Sequence, residues 1–464
     1  MELFFNNAGP SRPGDNYMID PLQRIDLANI EALIAQKRYF VLHAPRQTGK
    51  TTCLLALMDH LNQQGDYYAL YANIEAAQAQ REDVAEAMRT ICYTIADFAE
   101  DYLHDEWLST QVEPILQKST GKALQNVLRA WARQADKPVV LFLDEVDALV
   151  GDTLISVLRQ IRAGYTQRPA AFPISIVLCG VRDVRDYRLE SAHKETVTGG
   201  SAFNIKAKSL HLGNFCQAEV RALWEQHTAA TGQLIAETIH AELWADTRGQ
   251  PWLVNALGYE LTYEIPHLLD RTVPITLDDY HIAREALIQS RATHLDQLHA
   301  KLQEPRVHSV ISAILSSADD DDIPPDDIQY VADLGLITQR PETQISNRIY
   351  QESIPRELSW SKQMMLTHRQ EWYLTPERRL DIPKLLEAFQ QFSANNPNRG
   401  SNNSIIKKPD RNCCYKRFYN GSSMAVDESL VNMDSVENVL TYTSNGRLTN
   451  KLVFMAKSRK SYWN

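Results

Sequence analysis

The sequence predicts an α/β protein whose core is a doubly wound, mainly parallel sheet. Short apolar runs without polar alternation recur along the first part of the chain, helical patterns separate them, and two of the runs end in polar motifs. Such runs fit strands that are covered on both faces, and their alternation with helices favours a parallel sheet. The runs cover residues 39–43, 67–74, 137–143 and 174–179.

Helical patterns lie between these strands. The first precedes the sheet, and the others are crossover connections. The predicted helices cover residues 27–35, about 50–62, 82–102, 124–131 and 154–162. We place the end of this core near Leu212.

The first polar motif follows the run 39–43. A tight loop at a helix N-terminus presents unpaired backbone N–H groups and the positive end of the helix dipole, which together suit a triphosphate. Lys50 would reach the β and γ phosphates, and the Thr51 hydroxyl would ligate Mg²⁺. The pattern G-x-x-x-x-G-K-[ST] is met except at its first position, where Ala44 replaces glycine. The alternative is a surface helix start that carries Gly-Lys-Thr by chance. The loop comprises Ala44, Pro45, Arg46, Gln47, Thr48, Gly49, Lys50, Thr51 and Thr52.

The second polar motif, Asp144 and Glu145, ends the run 137–143. Ligands bind at the carboxyl ends of parallel strands, so both acids would emerge beside the phosphates. Asp144 suits the Mg²⁺ shell, and Glu145 suits the polarisation of the attacking water. The alternative is a core strand capped by an acidic turn. The presence of Lys50 and Thr51 in the first motif argues against it. Together the two motifs predict a P-loop NTPase core that binds ATP and Mg²⁺.

The rest of the chain predicts further units. Residues 213–294 have a helical pattern and form a helical lid, and residues 295–360 have the order helix, turn, helix and β wing, which suggests a winged helix. Its wing strands are predicted at 335–338 and 346–350. A helical linker (361–392) and a disordered tail (393–464) follow.

The winged-helix-like region is acidic. Residues 295–360 hold 12 acids against five Lys or Arg, a balance that opposes binding to a phosphate backbone by counterion release. We therefore expect protein–protein contact, self-association or intramolecular docking there, with nucleic-acid contact as the alternative. The run Asp319–Asp322 is interpreted as a solvated loop before a helix that starts near Pro324.

Composition sets the broad class. At 464 residues the chain predicts about three domains, and 44% apolar with 23% charged residues is ordinary globular usage. The first residues show neither a signal peptide nor a membrane span, so we expect a cytoplasmic protein without membrane contact. The six cysteines lack C-x-x-C spacing and are expected to be reduced thiols.

Two further segments complete a family resemblance: CGVRDVRD at residues 179–186 and RGQPWLVN at 248–255. With them the chain resembles the bacterial AAA-like ATPases, related to the STAND group of signalling ATPases. The resemblance implies that Pro251 packs near the adenine and that Arg182 is a sensor beside the γ phosphate. The alternative for Arg182 is a loop arginine that pairs with Asp183 or Asp186.

The N-terminal segment NYMIDP at residues 16–21 resembles the family segment that precedes the first helix. The resemblance implies that Tyr17 covers the adenine. A plain packing role for this tyrosine is the alternative.

Relatives of this type often continue into a PD-(D/E)XK nuclease-like domain, which residues beyond Phe392 do not show. In a shifted reading frame residues 412–415 encode Leu-Leu-Leu whatever synonymous codons are used, and residues 424–425 encode glycine. With free codon choice elsewhere, residues 407–464 can yield a string that resembles this domain, including its R-T-D segment. We predict a frameshift between about residues 392 and 407, an unrelated tail after it, and no nuclease activity.

The function predicted from these motifs is an ATPase that acts as a nucleotide-gated switch through Mg²⁺-dependent hydrolysis. One alternative is a non-hydrolysing nucleotide-binding interaction module. The other is a DNA-acting ATPase, which the winged-helix order and the nuclease association of the family motivate.

Overall fold

The computed structural model defines most of the chain up to residue 366. It divides into two compact units, Met1–Gln370 and Glu371–Asn464. The residues described are 2–81, 83–118, 120–183, 188–190, 196–198, 203–290, 293–316, 323–339, 342–366, 381–384, 386, 437–442 and 448–453.

A parallel five-stranded sheet forms the centre of the first unit, with strand order β2-β3-β4-β1-β7. The predicted α/β class and parallel sheet are confirmed. Two short strands, β5 and β6, pair separately in antiparallel fashion. The bounds are β1 Tyr39–His43, β2 Tyr68–Asn73, β3 Val139–Asp144, β4 Ser175–Gly180, β5 Arg188–Glu190, β6 Thr196–Thr198 and β7 Lys206–His211.

Helices cover both faces of this sheet. Alternate strand side chains point to opposite faces, so Val41 and Leu141 enter one apolar core while Phe40 and Phe142 enter another. The first core is covered by α3 to α6 and the second by α1 and α2. The bounds are α1 Leu27–Ala35, α2 Lys50–Gln64, α3 Val84–Leu103, α4 Glu106–Lys118, α5 Ala123–Gln134 and α6 Gly151–Gly164.

Strand β7 and helix α4 were not anticipated from the sequence. β7 is an edge strand that pairs only with β1 among the described strands, and its side chains are half-buried or exposed. Lys206 and Lys208 interrupt any apolar run. An edge strand of this kind has no neighbouring strand on one side and is more exposed to solvent. It therefore lacks the continuous apolar run by which a buried strand is recognised.

The lid region is helical, as expected. Its helices share one apolar core with the N-terminal Phe5 and with the elements that follow. The helix that begins at Pro251 is α-helical to Tyr259, after which a π-helix covers Glu260–Glu264. The bounds are α7 Gln217–Thr231, α8 Glu237–Thr247, α9 Pro251–Tyr259 and α10 Leu277–Gln289.

Residues 293–366 form what we call the C-terminal helical unit. Three helices precede a hairpin of two-residue strands, and a long helix ends the unit. This order agrees with the one predicted for a winged helix, and that name stays a prediction. The acidic run at 319–322 lies outside the described residues. The bounds are α11 Thr293–Leu302, α12 Pro305–Ser316, α13 Pro325–Asp333, β8 Ile337–Thr338, β9 Gln344–Ile345 and α14 Arg348–Leu366.

The predicted second wing strand at 346–350 is wrong. The strand is Gln344–Ile345, and Arg348 already begins α14. Asn347 explains the change, because its side-chain oxygen accepts from the Tyr350 backbone N–H at 2.9 Å. Such a contact caps a helix N-terminus. The cap outweighs the strand preference of Ile349 and Tyr350, on which the prediction of a strand depended.

In the second unit the described segments include one antiparallel pair, β10 Glu437–Tyr442 and β11 Leu448–Val453. The rest of the predicted tail, including Cys413 and Cys414, lies largely outside the described residues. The predicted frameshift and disorder therefore stay predictions. Within the described part of the chain, no helix is long and apolar enough to cross a membrane. Cys53, Cys92, Cys179 and Cys216 are free thiols.

Candidate functional site

The loop between β1 and α2 is held ready by its own side chains. Lys50 is only 6% exposed, and its Nζ donates to the carbonyls of Ala44 and Pro45, each at 3.0 Å. The Thr48 hydroxyl donates to the Pro45 carbonyl at 2.8 Å. Gly49 precedes the helix with φ of 88°, a left-handed conformation that favours glycine. The loop therefore encloses a buried cation at a helix N-terminus, the arrangement that suits a phosphate.

Alanine at the first motif position fits this loop. The positive φ angles in the loop belong to Gln47 (56°) and Gly49 (88°), and Ala44 is not among such residues. The Ala44 backbone N–H donates to the Gly180 carbonyl on β4 at 3.2 Å. Because its backbone needs no left-handed conformation, glycine is dispensable here. Arg46 is exposed at the loop tip.

Asp144 lies fully buried at the end of β3, beside the start of α2. Thr51 Oγ1 donates to Asp144 Oδ2 at 2.8 Å. Two cis ligands of an octahedral Mg²⁺ ion stand about 3.0 Å apart when each bond is about 2.1 Å long. The spacing of these two oxygens therefore fits the predicted metal shell, with Thr51 and Asp144 as the residues that would hold the ion.

Tyr71 also contacts this carboxylate and was not predicted. It lies on β2 beside β3, and its hydroxyl donates to Asp144 Oδ2 at 3.1 Å. Burial and the Asp144 charge raise the Tyr71 pKa well above its ordinary value, so the phenol remains a proton donor. A strand pattern cannot reveal this contact, because aromatic residues in strands are usually core residues.

Glu145 follows directly in a left-handed conformation with φ of 57°. For a residue with a Cβ this conformation is strained, and such strain concentrates at functional sites. Burial, with the charges of Asp144 and Asp147, raises the Glu145 pKa, while Lys50 opposes the shift. A carboxylate with a raised pKa is the better proton acceptor, as a general base requires.

Arg182 leaves the end of β4 beside this carboxylate cluster. The Val181 backbone N–H donates to Asp147 Oδ1 at 3.1 Å and fixes this segment. Arg182 Nε donates to Asp333 Oδ2 at 3.1 Å, and its guanidinium lies 4.8 Å from the Tyr330 ring centroid.

The alternative pairing of Arg182 with Asp183 or Asp186 is not tested by the described residues and stays open. Asp183 forms an ion pair with Lys206 at 2.6 Å, and Asp186 lies outside the described residues. Asp333 belongs to α13 of the C-terminal helical unit, distant in sequence, so no local pattern could indicate it. The sensor role of Arg182 stays a prediction.

A second contact joins the same helical unit to the phosphate loop. Gly335 has φ of 78°, and a Cβ placed on it would lie 2.8 Å from Pro45 Cγ. Only glycine allows both this conformation and this approach. The C-terminal helical unit therefore lies directly against the loop that would bind phosphates.

A cleft opens beside Gly49 and Thr52, with walls from the N-terminal segment, the phosphate loop and α9. Its lining residues are Asn6, Asn7, Ala8, Gly9, Ser11, Tyr17, Met18, Ile19, Pro21, Arg24, Gln47, Gly49, Thr52, Phe215, Leu223, Pro251, Trp252 and Asn255.

Tyr17 and Pro251, the two residues expected near an adenine, both line this cleft. Tyr17 is also a packing residue, because its ring lies 4.9 Å from that of Phe5 and its hydroxyl 3.1 Å from His227 Nδ1. Ser11 ties the N-terminal segment to α2 through its backbone N–H, which donates to Thr52 Oγ1 at 3.3 Å. The two residues that were predicted to lie near the adenine therefore line one cleft next to the phosphate loop.

Trp252 connects the cleft wall to the C-terminal helical unit. Its ring stacks on His294 at 4.8 Å, and His294 Nε2 lies 2.5 Å from the Tyr350 hydroxyl on α14. Burial lowers the His294 pKa to about 4. The imidazole is therefore neutral at neutral pH, and the stack remains uncharged.

This depressed pKa predicts acid sensitivity of the fold. Between its ordinary pKa of 6.5 and about 4, the unfolded chain binds a proton that folded His294 does not, so stability falls as pH falls through that window. We expect the melting temperature of His294→Phe to fall less than that of the wild type when the pH is lowered. Thermal denaturation across that pH window measures this, with the exposed His308→Phe as control. Equal acid sensitivity of His294→Phe and wild type would contradict the expectation.

The sheet, the loop at Lys50 and the acids after β3 define a P-loop NTPase. Residues 34–187 match a family model described as an AAA domain. The chain thus contains an AAA-type P-loop ATPase domain. No curated protein matches the chain.

Several solved structures are similar to this chain at low sequence identity. The Walker-type ATPase PABY2304 of Pyrococcus abyssi is 12% identical over 76% of this chain and 99% of that chain, with a TM-score of 0.52. The ORC2 protein of Aeropyrum pernix is 15% identical over 74% and 95%, with a TM-score of 0.42. Cdc6p of Pyrobaculum aerophilum is 16% identical over 75% and 94%, with a TM-score of 0.40. The first similarity supports the fold, and the relation to the STAND group stays a prediction.

Proposed function

We propose that this chain is an ATPase in which the bound nucleotide controls docking of the C-terminal helical unit on the phosphate site. The observation that carries the proposal is the meeting of Lys50, Thr51, Asp144 and Glu145 at the carboxyl ends of β1 and β3. Within the described residues, the buried Lys50 ammonium contacts carbonyl groups and no carboxylate. A buried cation that no carboxylate contacts directly is stabilised by an anionic ligand.

The chemistry follows from the position of each side chain. Lys50 would bind the β and γ phosphates, and Glu145 would accept a proton from the water that attacks the γ phosphorus. The bond from that phosphorus to the β-phosphate bridging oxygen breaks as the new bond forms, so the products are ADP and phosphate. Mg²⁺, held by Thr51 and Asp144, would offset the charge of the phosphates.

In this proposal the nucleotide switches the C-terminal helical unit between a docked and an undocked state. Arg182 and Asp333 have side chains that are 13% and 8% exposed, so their ion pair is largely shielded from water. A γ phosphate near Arg182 would compete with Asp333 for the same guanidinium. ATP and ADP then differ in their interaction with the docked and undocked states, which is the condition for a ligand to shift an equilibrium.

We expect Asp333→Asn to tighten ATP binding while leaving ADP binding unchanged. The ion pair that ATP must displace is lost, and because a shielded pair exceeds the ~1 kcal/mol of an exposed one, we expect ATP affinity to rise by at least about fivefold. Titration with both nucleotides measures the ratio of their dissociation constants.

Asp327→Asn is the matched control. Asp327 lies on the same helix but pairs with Arg306, at 3.5 Å, so its loss leaves Arg182 engaged. An unchanged ATP-to-ADP ratio in Asp333→Asn, or the same change in both variants, would argue against competition for Arg182.

A further inference from the structure

Arg24 lines the cleft but belongs to neither phosphate motif. It is the last residue of the short 3-10 helix Pro21–Arg24. Its Nη1 donates to the Thr48 carbonyl at 2.8 Å, and its Nη2 donates to the Gly213 carbonyl at 2.9 Å. Its guanidinium also lies 4.6 Å from the Phe215 ring centroid. Arg24 therefore touches both the loop and the start of the lid.

The Arg24 charge lacks a counter-ion within the described residues. Glu219 acts on it only through space, because the Glu219 carboxylate accepts from the Cys216 backbone N–H at 2.6 Å. Both partners of Arg24 are neutral carbonyls, and a guanidinium has five N–H donors. Desolvation lowers the Arg24 pKa, which shows that the site disfavours an uncompensated charge.

The position of Arg24 indicates which anion would compensate its charge. A Cβ placed on Gly49 would lie 2.7 Å from Arg24 Nη1, so the guanidinium lies against the turn that begins α2. In such loops the backbone N–H groups hold the α and β phosphates. Lys50 instead contacts the Ala44 and Pro45 carbonyls, and Arg182 contacts Asp333.

We propose that Arg24 binds the diphosphate common to ADP and ATP and supplies positive charge that neither motif provides. This inference rests on the proposed nucleotide-binding function. It distinguishes Arg24 from Arg182, whose predicted contact exists only with a triphosphate. Through the Gly213 carbonyl and the Phe215 ring, Arg24 also connects the occupied phosphate site to the beginning of the lid.

The test is binding of ADP, ATP and adenosine to Arg24→Gln, Arg24→Lys and wild type, together with melting of the nucleotide-free proteins. We expect Arg24→Gln to weaken ADP and ATP binding alike, by about 10- to 100-fold, the range for hydrogen bonds to charged groups. Adenosine binding should stay unchanged, nucleotide-free melting should fall only modestly through loss of the two carbonyl contacts, and Arg24→Lys should recover part of the loss in nucleotide affinity. The exposed Arg38→Gln removes the same charge outside the cleft and should bind as wild type does.

Three results would overturn the inference: wild-type affinity of Arg24→Gln for ADP, an equal loss of adenosine binding, or a large loss of stability without nucleotide. The last two would show that Arg24 only fastens the loop to the lid. Failure of the proposed function has a different signature, since the wild type itself would then bind neither ADP nor ATP.

Discussion

Glu145→Gln is expected to retain Mg²⁺-ATP and to lose turnover by about 10²- to 10⁴-fold, the usual contribution of a general base. The amide keeps the size of the side chain but cannot accept the proton of the attacking water. Nucleotide titration and phosphate release, measured on the same preparation, separate the two effects. Glu75→Gln is the control, because Glu75 is exposed just after β2 and should leave both quantities unchanged.

The pH profile gives a second measure of the same role. A base works in its deprotonated form, so turnover falls as pH is lowered through its pKa. Because burial and the neighbouring acids raise the Glu145 pKa, the acid limb should lie above the range of an ordinary glutamate, and Glu145→Gln should lack that limb. Turnover by Glu145→Gln at the wild-type rate contradicts the assignment, and a wild type that binds ATP without turnover favours the non-hydrolysing alternative.

Lys50→Ala is expected to abolish measurable nucleotide binding. The ammonium is lost at the phosphates, and hydrogen bonds to charged groups contribute about 1.5–3 kcal/mol each. The variant also removes the contacts to the Ala44 and Pro45 carbonyls that hold the empty loop. Titration with ATP and ADP measures the effect.

Two controls accompany Lys50→Ala. Lys118→Ala removes an exposed lysine at the end of α4 and should bind both nucleotides as the wild type does. Circular dichroism and melting establish that Lys50→Ala is folded. A folded Lys50→Ala that binds ATP with wild-type affinity would refute the assignment of this loop as the phosphate site.

The sequence can predict site residues whose positions depend on their neighbours in the chain. Gly49, Lys50 and Thr51 are recognisable because a phosphate loop is a local structure whose spacing is set by one turn and one helix start. The prediction for Asp144 and Glu145 has a similar basis, because a buried strand is visible as an apolar run and parallel strands present their carboxyl ends at one edge.

Residues that meet only through packing escaped prediction. Tyr71, on a neighbouring strand, donates a hydrogen bond to the Asp144 carboxylate. Arg24, in a segment before the sheet, donates one to the Thr48 carbonyl. Neither side chain differs in local pattern from an ordinary core tyrosine or surface arginine. The edge strand β7 was missed because exposure on one side removes the continuous apolar signal.

The chain's local patterns thus established the class of site, a phosphate loop with its carboxylates on a parallel sheet, because hydrogen bonds and strand burial act over a few residues. Tertiary structure decided what surrounds that site. The pairing of Arg182 with Asp333 and the approach of Gly335 to Pro45 join segments far apart in sequence, and such contacts depend on how completed helices pack around a common core. Packing therefore determined that the C-terminal helical unit rests against the loop, the arrangement on which the proposed switch depends.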